Sequence, residues 1–172
     1  MSTSLSAVVF GIALLGLLAS VTAPTVQSSD QARLDTAAQE LAALIRLARS
    51  EAIRLQAPHG IIYNDSNQSF QVAEVDPASE PLTVLSSTYH PVRKQPLAWQ
   101  STWLKMSPDT NVFNYGTYGD ANELMFDPWG TPVLTLGGVR RLMSSSSISL
   151  SVGEQRRKVT IEAMTGRVVI VG

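Results

Sequence analysis

The sequence lacks cysteine altogether and has only two histidines among its 172 residues. The absence of cysteine excludes disulfide bonds, zinc–thiolate sites and thiol catalysis. The two histidines, His59 and His90, lie far apart along the chain and do not have the spacing of paired metal ligands. The net charge is only −1, so the chain carries no overall field that attracts nucleic acid or anionic lipid.

Charge is also missing from the N-terminus, where no charged side chain precedes Asp30. The segment from Leu5 to Val26 is almost wholly apolar, and its first nineteen residues extend roughly 28 Å as a helix. This length nearly matches the hydrocarbon core of a bilayer, about 30 Å, in which a spanning segment must be helical. We therefore predict that residues 1–26 form a membrane-spanning helix. The side chains expected to meet lipid are Leu5, Val9, Phe10, Leu14, Leu17 and Leu18, with Pro24 near the end of the helix.

A cleaved secretory signal is the alternative interpretation of this segment. Such signals have a basic N-terminal region, a short apolar core and small residues before the cleaved bond. Here no lysine or arginine precedes the apolar run, and Pro24 directly follows the small-residue site formed by Val21 and Ala23. These features favour a retained anchor, while a buried helix of a soluble protein stays open. The first positive charge, Arg33, follows the apolar run, so the positive-inside rule does not fix the orientation.

A second helix is predicted over residues 27–57. Proline lacks an N–H and clashes with the preceding turn, so Pro24 should end or bend the first helix, and Ser28–Asp30 supplies residues that commonly begin a new one. Apolar residues then recur every three or four positions, which favours a buried helical face packed on a sheet over a coiled-coil seam. The stripe consists of Leu34, Ala38, Leu41, Ile45, Ala48, Ala52 and Leu55. Ala57–Pro58 should close the helix.

After Pro58 the apolar period changes from that of a helix to that of strands, which predicts an antiparallel β-rich domain over residues 58–172. Strands are expected at 60–63, 70–75, 82–88, 112–115, 123–126, 132–136, 148–152, 158–162 and 168–171. The rest of residues 89–120, a segment rich in proline, should form an irregular loop, and Asp127–Gly130 should form a hairpin turn. The sequence thus predicts an α+β protein with a long N-terminal helix and short antiparallel hairpins.

Three sequence blocks give the chain a family resemblance. The first is Ala37–Ala52, which contains Ala-Ala-Gln-Glu-Leu and, further on, Leu-Ala-Arg-Ser-Glu-Ala. The second is Phe126–Gly130 (Phe-Asp-Pro-Trp-Gly), and the third is Thr165–Val168 (Thr-Gly-Arg-Val) in the closing hairpin. With the apolar N-terminus, these blocks make the chain similar to the GspH/FimT-type pseudopilins of type II secretion systems and type IV pili. The resemblance implies a pilin-like fold, in which the membrane-spanning first half of the helix also forms the filament core and its amphipathic second half packs on the sheet.

The chain departs from that family at its N-terminus. Family members enter the membrane through a short basic leader cut after a glycine, followed by an N-methylated aromatic residue and soon after by a glutamate. Ala7 occupies the position expected for this glutamate, and no prepilin cleavage site can be identified. A carboxylate inside an apolar segment is costly and so marks a function, here contact with a neighbouring subunit's N-terminal amine. Three explanations stay open: a wrongly assigned start codon, a subunit at the filament tip, or a diverged relative that is not assembled.

The resemblance implies a non-enzymatic minor pseudopilin, a structural or initiating subunit of a type II secretion pseudopilus involved in protein export. Its helix is expected to cross the inner membrane once, with the β-rich domain in the periplasm, and then to enter a periplasmic filament. The implied partners are other pilin or pseudopilin subunits, the inner membrane and its assembly platform, and no cofactor is expected. The alternative is a minor type IV pilin, acting in pilus biogenesis or in DNA uptake.

Basic residues of the C-terminal hairpins are the candidates for nucleic-acid contact. They are Arg156, Arg157, Lys158 and Arg167. The resemblance implies DNA contact through the Gly-Arg-x-Arg turn of FimT-like members, of which this chain keeps only the first arginine. Duplex affinity scales with the number of phosphates neutralised, so ordinary solvated hairpin charge is the favoured interpretation and DNA is not expected as a partner.

Other polar and aromatic residues are candidates for metal binding or catalysis. Asp120, Glu123 and Asp127 are candidates for a Ca²⁺ site, but their spacing fits no recognised loop pattern and a turn with acidic caps explains them equally well. Ser144–Ser147 lacks the Gly-x-Ser-x-Gly context of a nucleophile, so an enzyme is not expected. The tryptophans are expected to cover the open end of the core; they are Trp99, Trp103 and Trp129.

Overall fold

The computed structural model describes residues 3–89, 95–100, 105–107 and 112–172, and for residues 3–28 and 105–107 it describes the backbone alone. The side chains predicted to meet the membrane therefore lie outside the described part, as do His90 and Trp103. Among the residues whose side chains are described, no helix is both long and apolar enough to span a membrane. The chain divides into two compact units, Met1–Arg33 and Leu34–Gly172.

A single α-helix, α1, runs from Thr3 to Leu55. Pro24 was predicted to end or bend a first helix; the helix continues through it, so it does not end there, and no new helix starts at Ser28–Asp30, where one was predicted. A proline removes one backbone donor, and the residues next to it are mostly β-branched or small and polar. The stretches further out on both sides, Leu14–Ala19 and Gln31–Leu55, are rich in leucine, alanine and glutamine, which favour a helix. The predicted end near Ala57–Pro58 is confirmed.

The described half of α1 buries the predicted apolar stripe. Leu34, Ala38, Leu41, Ile45, Ala48 and Ala52 are fully buried. They belong to the same core as apolar residues of the strands, which confirms a core face. Leu55, the last residue predicted for the stripe, is 47% exposed because the helix ends there.

Short strands make up most of the remaining chain. Within the described residues they are β1 (His59–Asn64), β2 (Ser69–Asp76), β3 (Thr83–Ser87), β4 (Ala98–Gln100), β5 (Lys105–Ser107), β6 (Phe113–Asn114), β7 (Asp120–Ala121), β8 (Glu123–Phe126), β9 (Pro132–Leu136), β10 (Val139–Leu142), β11 (Ser145–Val152), β12 (Gln155–Ile161) and β13 (Val168–Val171). One antiparallel sheet has the order β10-β9-β8-β1-β2-β3, with β4 also paired to β2. The other has the order β13-β12-β11-β6-β7, with β5 also paired to β11.

The structure confirms the α+β, pilin-like class and most of the predicted strands. The hairpins β1–β2 and β8–β9 and the meander β11–β12–β13 pair antiparallel as predicted. Two details differ. The described part of residues 89–120 contains four short strands, β4 to β7, where one was expected, and Val139–Leu142 forms an edge strand outside the predicted set. These pieces are too short, or too charged in the case of β10, to give a clear alternating pattern.

Candidate functional site

The turn between β8 and β9 is organised by one buried carboxylate. Asp127 is 5% exposed, and its Oδ1 accepts hydrogen bonds from the backbone N–H groups of Trp129 and Thr131, both at 2.9 Å. Its Oδ2 pairs with the Arg140 guanidinium from β10. The N–H of Gly130 donates to the carbonyl oxygen of Asp127 at 2.8 Å, and Gly130 has a φ of +78°, which favours glycine. The sequence Asp-Pro-Trp-Gly therefore forms a fixed turn.

The turn between β12 and β13 is closed in a similar way. The N–H of Gly166 donates to the carbonyl oxygen of Glu162 at 2.9 Å, and the N–H of Glu162 donates to the carbonyl oxygen of Arg167, also at 2.9 Å. The Thr165 hydroxyl donates to the Glu162 carboxylate at 2.8 Å and accepts from the N–H of Arg167 at 3.1 Å. Gly166 has a φ of +64°, so this position also favours glycine.

Arg49 of α1 brings these two turns together. Its Nε donates to the carbonyl oxygen of Gly130 at 3.1 Å. A Cβ added to Gly130 would lie 2.8 Å from Ile53 Cδ1, and a Cβ added to Gly166 would lie 2.8 Å from the Gly130 carbonyl oxygen and 3.2 Å from Arg49 Cδ. The three sequence blocks that carry the family resemblance therefore meet at one point in the fold, and both glycines permit the close approach.

A cleft of about 400 Å³ opens beside these contacts. It is lined by Arg46, Arg49, Ser50, Ile53, Gly166, Arg167 and Val168; we call it the arginine cleft. Arg46 lies one helical turn before Arg49, and its Nη2 donates to the carbonyl oxygen of Val168 at 3.0 Å. None of the ion pairs between described residues includes Arg46, Arg49 or Arg167. The cleft thus contains three positive charges, and no described carboxylate lies close enough to form an ion pair with any of them.

Sequence reasoning missed the arginine cleft. Arg46 and Arg49 stand three residues apart, and this spacing places two side chains on one face of a helix. That spacing is the local signal in the sequence, but it does not show which turns the two arginines meet. Gly130 follows Arg49 by 81 residues and Val168 follows Arg46 by 122 residues, so these partners depend on the tertiary fold.

The basic residues proposed for nucleic-acid contact are divided between two places. Arg156, Arg157 and Lys158 line a separate cleft of about 340 Å³ on β12 and β13, whereas Arg167 lines the arginine cleft. Arg157 is also paired with Asp35 of α1, with 2.5 Å between Nε and Oδ1. The structure therefore does not bring the four residues together as one basic surface.

The three candidate calcium ligands each contact a different part of the protein. Asp120 accepts a hydrogen bond from the Asn114 amide, Glu123 accepts one from the Leu82 N–H at 2.8 Å, and Asp127 organises its own turn. Within the described residues, no group of three histidine, aspartate or glutamate side chains is arranged to hold a metal ion.

Tyr115 lies against the backbone of Glu123. It is 2% exposed, and its hydroxyl donates to the Glu123 carbonyl oxygen at 3.0 Å. Burial raises the pKa of Tyr115 far above its ordinary value, and the nearby Glu123 charge adds to the shift. The phenol is therefore held neutral in the folded protein, as part of the core.

The histidine and tryptophan residues that the structure describes do not gather at one site. His59 is buried, and its Nδ1 lies 3.0 Å from the carbonyl oxygen of Ala57. Trp99 is 8% exposed and belongs to the core, as predicted, with its ring centroid 6.2 Å from that of Phe70. Trp129 is 74% exposed, so the prediction that it covers the core is wrong. The Asp127 turn holds its backbone, and its side chain projects into solvent.

Comparison with sequence families gives one match. The profile of the family described as "Type II transport protein GspH" matches residues 37–165. This range contains most of the described half of α1 and every strand except β13. No curated protein sequence matches the chain.

Comparison with solved structures gives three matches. Two crystal structures of the type IV minor pilin FimU from Pseudomonas aeruginosa are each 17% identical to this chain, with TM-scores of 0.50 and 0.51. They cover 81% and 84% of this chain and 93% and 92% of their own chains. The minor pseudopilin EpsH from the Type 2 Secretion System of Vibrio cholerae is 12% identical, with a TM-score of 0.50, and covers 80% of this chain and 95% of its own. At these identities the likeness shows a shared fold.

Proposed function

The chain belongs to the GspH family, whose members are structural, non-enzymatic subunits of type II secretion or type IV pilus systems, and we propose that it is a minor pseudopilin of a type II secretion pseudopilus. The family match over residues 37–165 is the observation that carries this proposal. Family membership also confirms that the chain is not an enzyme. The family's description as a type II transport protein supports secretion over pilus biogenesis, because the likeness to FimU extends to the fold alone.

In the proposed role, the N-terminal helix holds the subunit in the inner membrane and later in the filament core. The segment from Leu5 to Val26 has no charged side chain. It can exchange lipid for the helices of sister subunits at little cost, because both surroundings lack water. The β-rich domain lies in the periplasm, and the inner-membrane platform assembles the subunit through this helix. The partners are other pilin-type subunits.

Photo-crosslinking in the assembled apparatus tests the filament role. A photoreactive residue at Val9 or Leu14 should form adducts with other pilin-type subunits, because these positions lie in the proposed filament core. The same residue at Ser66, in the exposed β1–β2 turn, is the control for non-specific capture. Adducts at Ser66 alone, or none in an assembled apparatus, contradict the proposal.

Two further measurements separate the proposal from its alternatives. Deletion of the gene should abolish protein export and leave pili intact; loss of pili with normal export shows instead a minor type IV pilin. N-terminal mass spectrometry of the native protein should find the apolar segment retained. A native chain that begins beyond Ala23 contradicts the membrane anchor.

A further inference from the structure

The arginine cleft has the composition of a binding site for an acidic side chain. We propose that it takes a glutamate or aspartate carboxylate presented by a neighbouring subunit of the filament, with Arg46, Arg49 and Arg167 as the binding residues. The inference rests on the proposed function, because that function supplies the neighbouring subunit.

Two of the three arginines are held in place before any partner arrives. Arg46 donates one N–H to the Val168 carbonyl oxygen, and Arg49 donates one to the Gly130 carbonyl oxygen. A guanidinium has five N–H donors, so each side chain has further donors for a carboxylate. Such bonds between two ionised groups are short and strong, and a guanidinium can bind both carboxylate oxygens at once. Because the side chains are already ordered, less conformational entropy is lost on binding.

The shape of the cleft suits a side chain better than a lone ion. Its volume of about 400 Å³ lies at the lower end of ligand pockets, which measure about 300–1,000 Å³. Ile53 and Val168 supply apolar walls beside the guanidinium groups. The Ser50 hydroxyl donates to the Leu47 carbonyl oxygen at 2.9 Å, so its own proton is already used within α1. The methylene groups of a glutamate can meet the apolar walls while its carboxylate meets the arginines.

The charges favour a protein carboxylate over DNA as the occupant. Duplex binding strengthens with the number of phosphates that the protein neutralises along an extended surface. Here three arginines converge on one concave site, while Arg156 and Lys158 line another cleft and Arg157 is paired with Asp35.

A titration of the full chain in detergent micelles tests the binding chemistry. With ¹⁵N-labelled arginine, the Nε–Hε signals of Arg46 and Arg49 should shift saturably with N-acetylglutamate α-amide (Ac-Glu-NH2), whose only charge is the side-chain carboxylate. They should stay unchanged with the neutral Ac-Gln-NH2. Arg167→Gln should weaken the binding about tenfold or more, because one charged donor is lost. Arg156→Gln, which changes an exposed arginine outside the cleft, should leave it unchanged.

Three results of this titration overturn the inference. One is the absence of a saturable shift with Ac-Glu-NH2. Another is an equal response to Ac-Gln-NH2 or a response only to a short DNA duplex, either of which shows that the cleft does not select a carboxylate. The third is an equal loss of affinity in Arg167→Gln and Arg156→Gln, which shows that general charge and not the cleft binds the probe.

Crosslinking in the assembled apparatus separates this inference from the proposed function. A photoreactive residue at Ser50, which is exposed and lines the cleft, should capture a neighbouring pilin-type subunit, and Arg167→Glu should abolish that adduct. Adducts at Val9 without any at Ser50 overturn the inference and leave the proposed function intact. If Val9 gives no adduct, the proposed function fails, and the micelle titration still decides whether the cleft binds a carboxylate.

Discussion

The carbonyl oxygen of Gly130 lies 2.8 Å from the point where a Cβ on Gly166 would stand. Real Cβ atoms do not approach an oxygen this closely, so the turn of one sheet touches the turn of the other only because position 166 is glycine. A Cβ at Gly130 would instead lie too close to Ile53 of α1. Arg49 of α1 packs on the same two glycines and bonds to one of them. This contact joins the helix and both sheets, which explains why the three sequence blocks of the family meet there.

Gly166→Ala should destabilise the protein more than Gly153→Ala. Both glycines have a positive φ, +64° and +56°, so each alanine costs roughly 1 kcal/mol in backbone strain. A Cβ at Gly153 has no described atom within 4 Å, whereas one at Gly166 meets a backbone oxygen. We expect the free energy of unfolding, measured with urea, to fall by about 2–4 kcal/mol in Gly166→Ala and by about 1 kcal/mol in Gly153→Ala. An equal fall in the free energy of unfolding in both variants would show that the β8–β9 turn and the β12–β13 turn are not in close contact.

Arg49→Met should lower the melting temperature, while Arg54→Met should leave it nearly unchanged. Methionine keeps most of the apolar stem, so the first change isolates the loss of the bond to the Gly130 carbonyl oxygen. That loss should cost about 1–2 kcal/mol, because a partly buried acceptor is left without its donor. Arg54 is exposed and pairs only with Glu51 among the described residues, and exposed pairs contribute little. Calorimetry that gives the same shift for both variants contradicts a role for Arg49 at the junction.

The helix was the easiest element to predict from the sequence. The spacing of its apolar residues is a local property, and six of the seven predicted residues are fully buried. The continuation through Pro24 could not be predicted in the same way, because the effect of one proline competes with helix propensities distributed over many residues. β10 was missed because Arg140 and Arg141 interrupt its apolar pattern; it forms where β9 offers a partner.

The contacts at the candidate site were harder to predict from the sequence than the helix was. The Asp127 turn and the Gly166 turn were each recognisable from composition. Their contact with Arg49 was not, because it joins residues that are far apart in the chain and depends on how both sheets pack around α1. Arg167 was grouped with Arg157 by sequence proximity, but the fold places the two in different clefts.

Asp127→Ala should destabilise the protein more than Asp127→Asn. The asparagine keeps an oxygen that can accept the N–H groups of Trp129 and Thr131 and loses only the charge that faces Arg140. The alanine leaves both N–H groups without their acceptor. We expect the free energy of unfolding to fall by about 2–4 kcal/mol in Asp127→Ala and by about 1 kcal/mol in Asp127→Asn. Urea unfolding measures both, with Asp120→Ala, at an exposed position, as control; a larger loss for asparagine than for alanine contradicts the proposed role of Oδ1.

The buried phenol of Tyr115 should make stability fall at alkaline pH. An unfolded tyrosine loses its proton near pH 10, whereas burial keeps the folded phenol protonated well above that pH. Above about pH 10 the unfolded chain therefore binds fewer protons than the folded one, so the free energy of unfolding falls by about 1.4 kcal/mol per pH unit. The stability that the buried phenol contributes is fully present below the pKa of Tyr115 in the unfolded chain, and it is lost as the pH rises above that pKa.

Above about pH 10 the free energy of unfolding falls with pH, and we call the rate of this fall the alkaline slope. Tyr115→Phe should remove the contribution of Tyr115 to this slope, because phenylalanine has no proton to lose. At neutral pH the variant should be destabilised by about 1 kcal/mol through the lost bond to the Glu123 carbonyl oxygen. Tyr118→Phe removes the hydroxyl of a tyrosine that is 53% exposed and is the matched control. Tyr63 should leave a residual slope in both variants, because burial also raises its pKa. Urea unfolding at a series of pH values measures each slope, and identical slopes for the two variants would show that the alkaline loss arises elsewhere than at Tyr115.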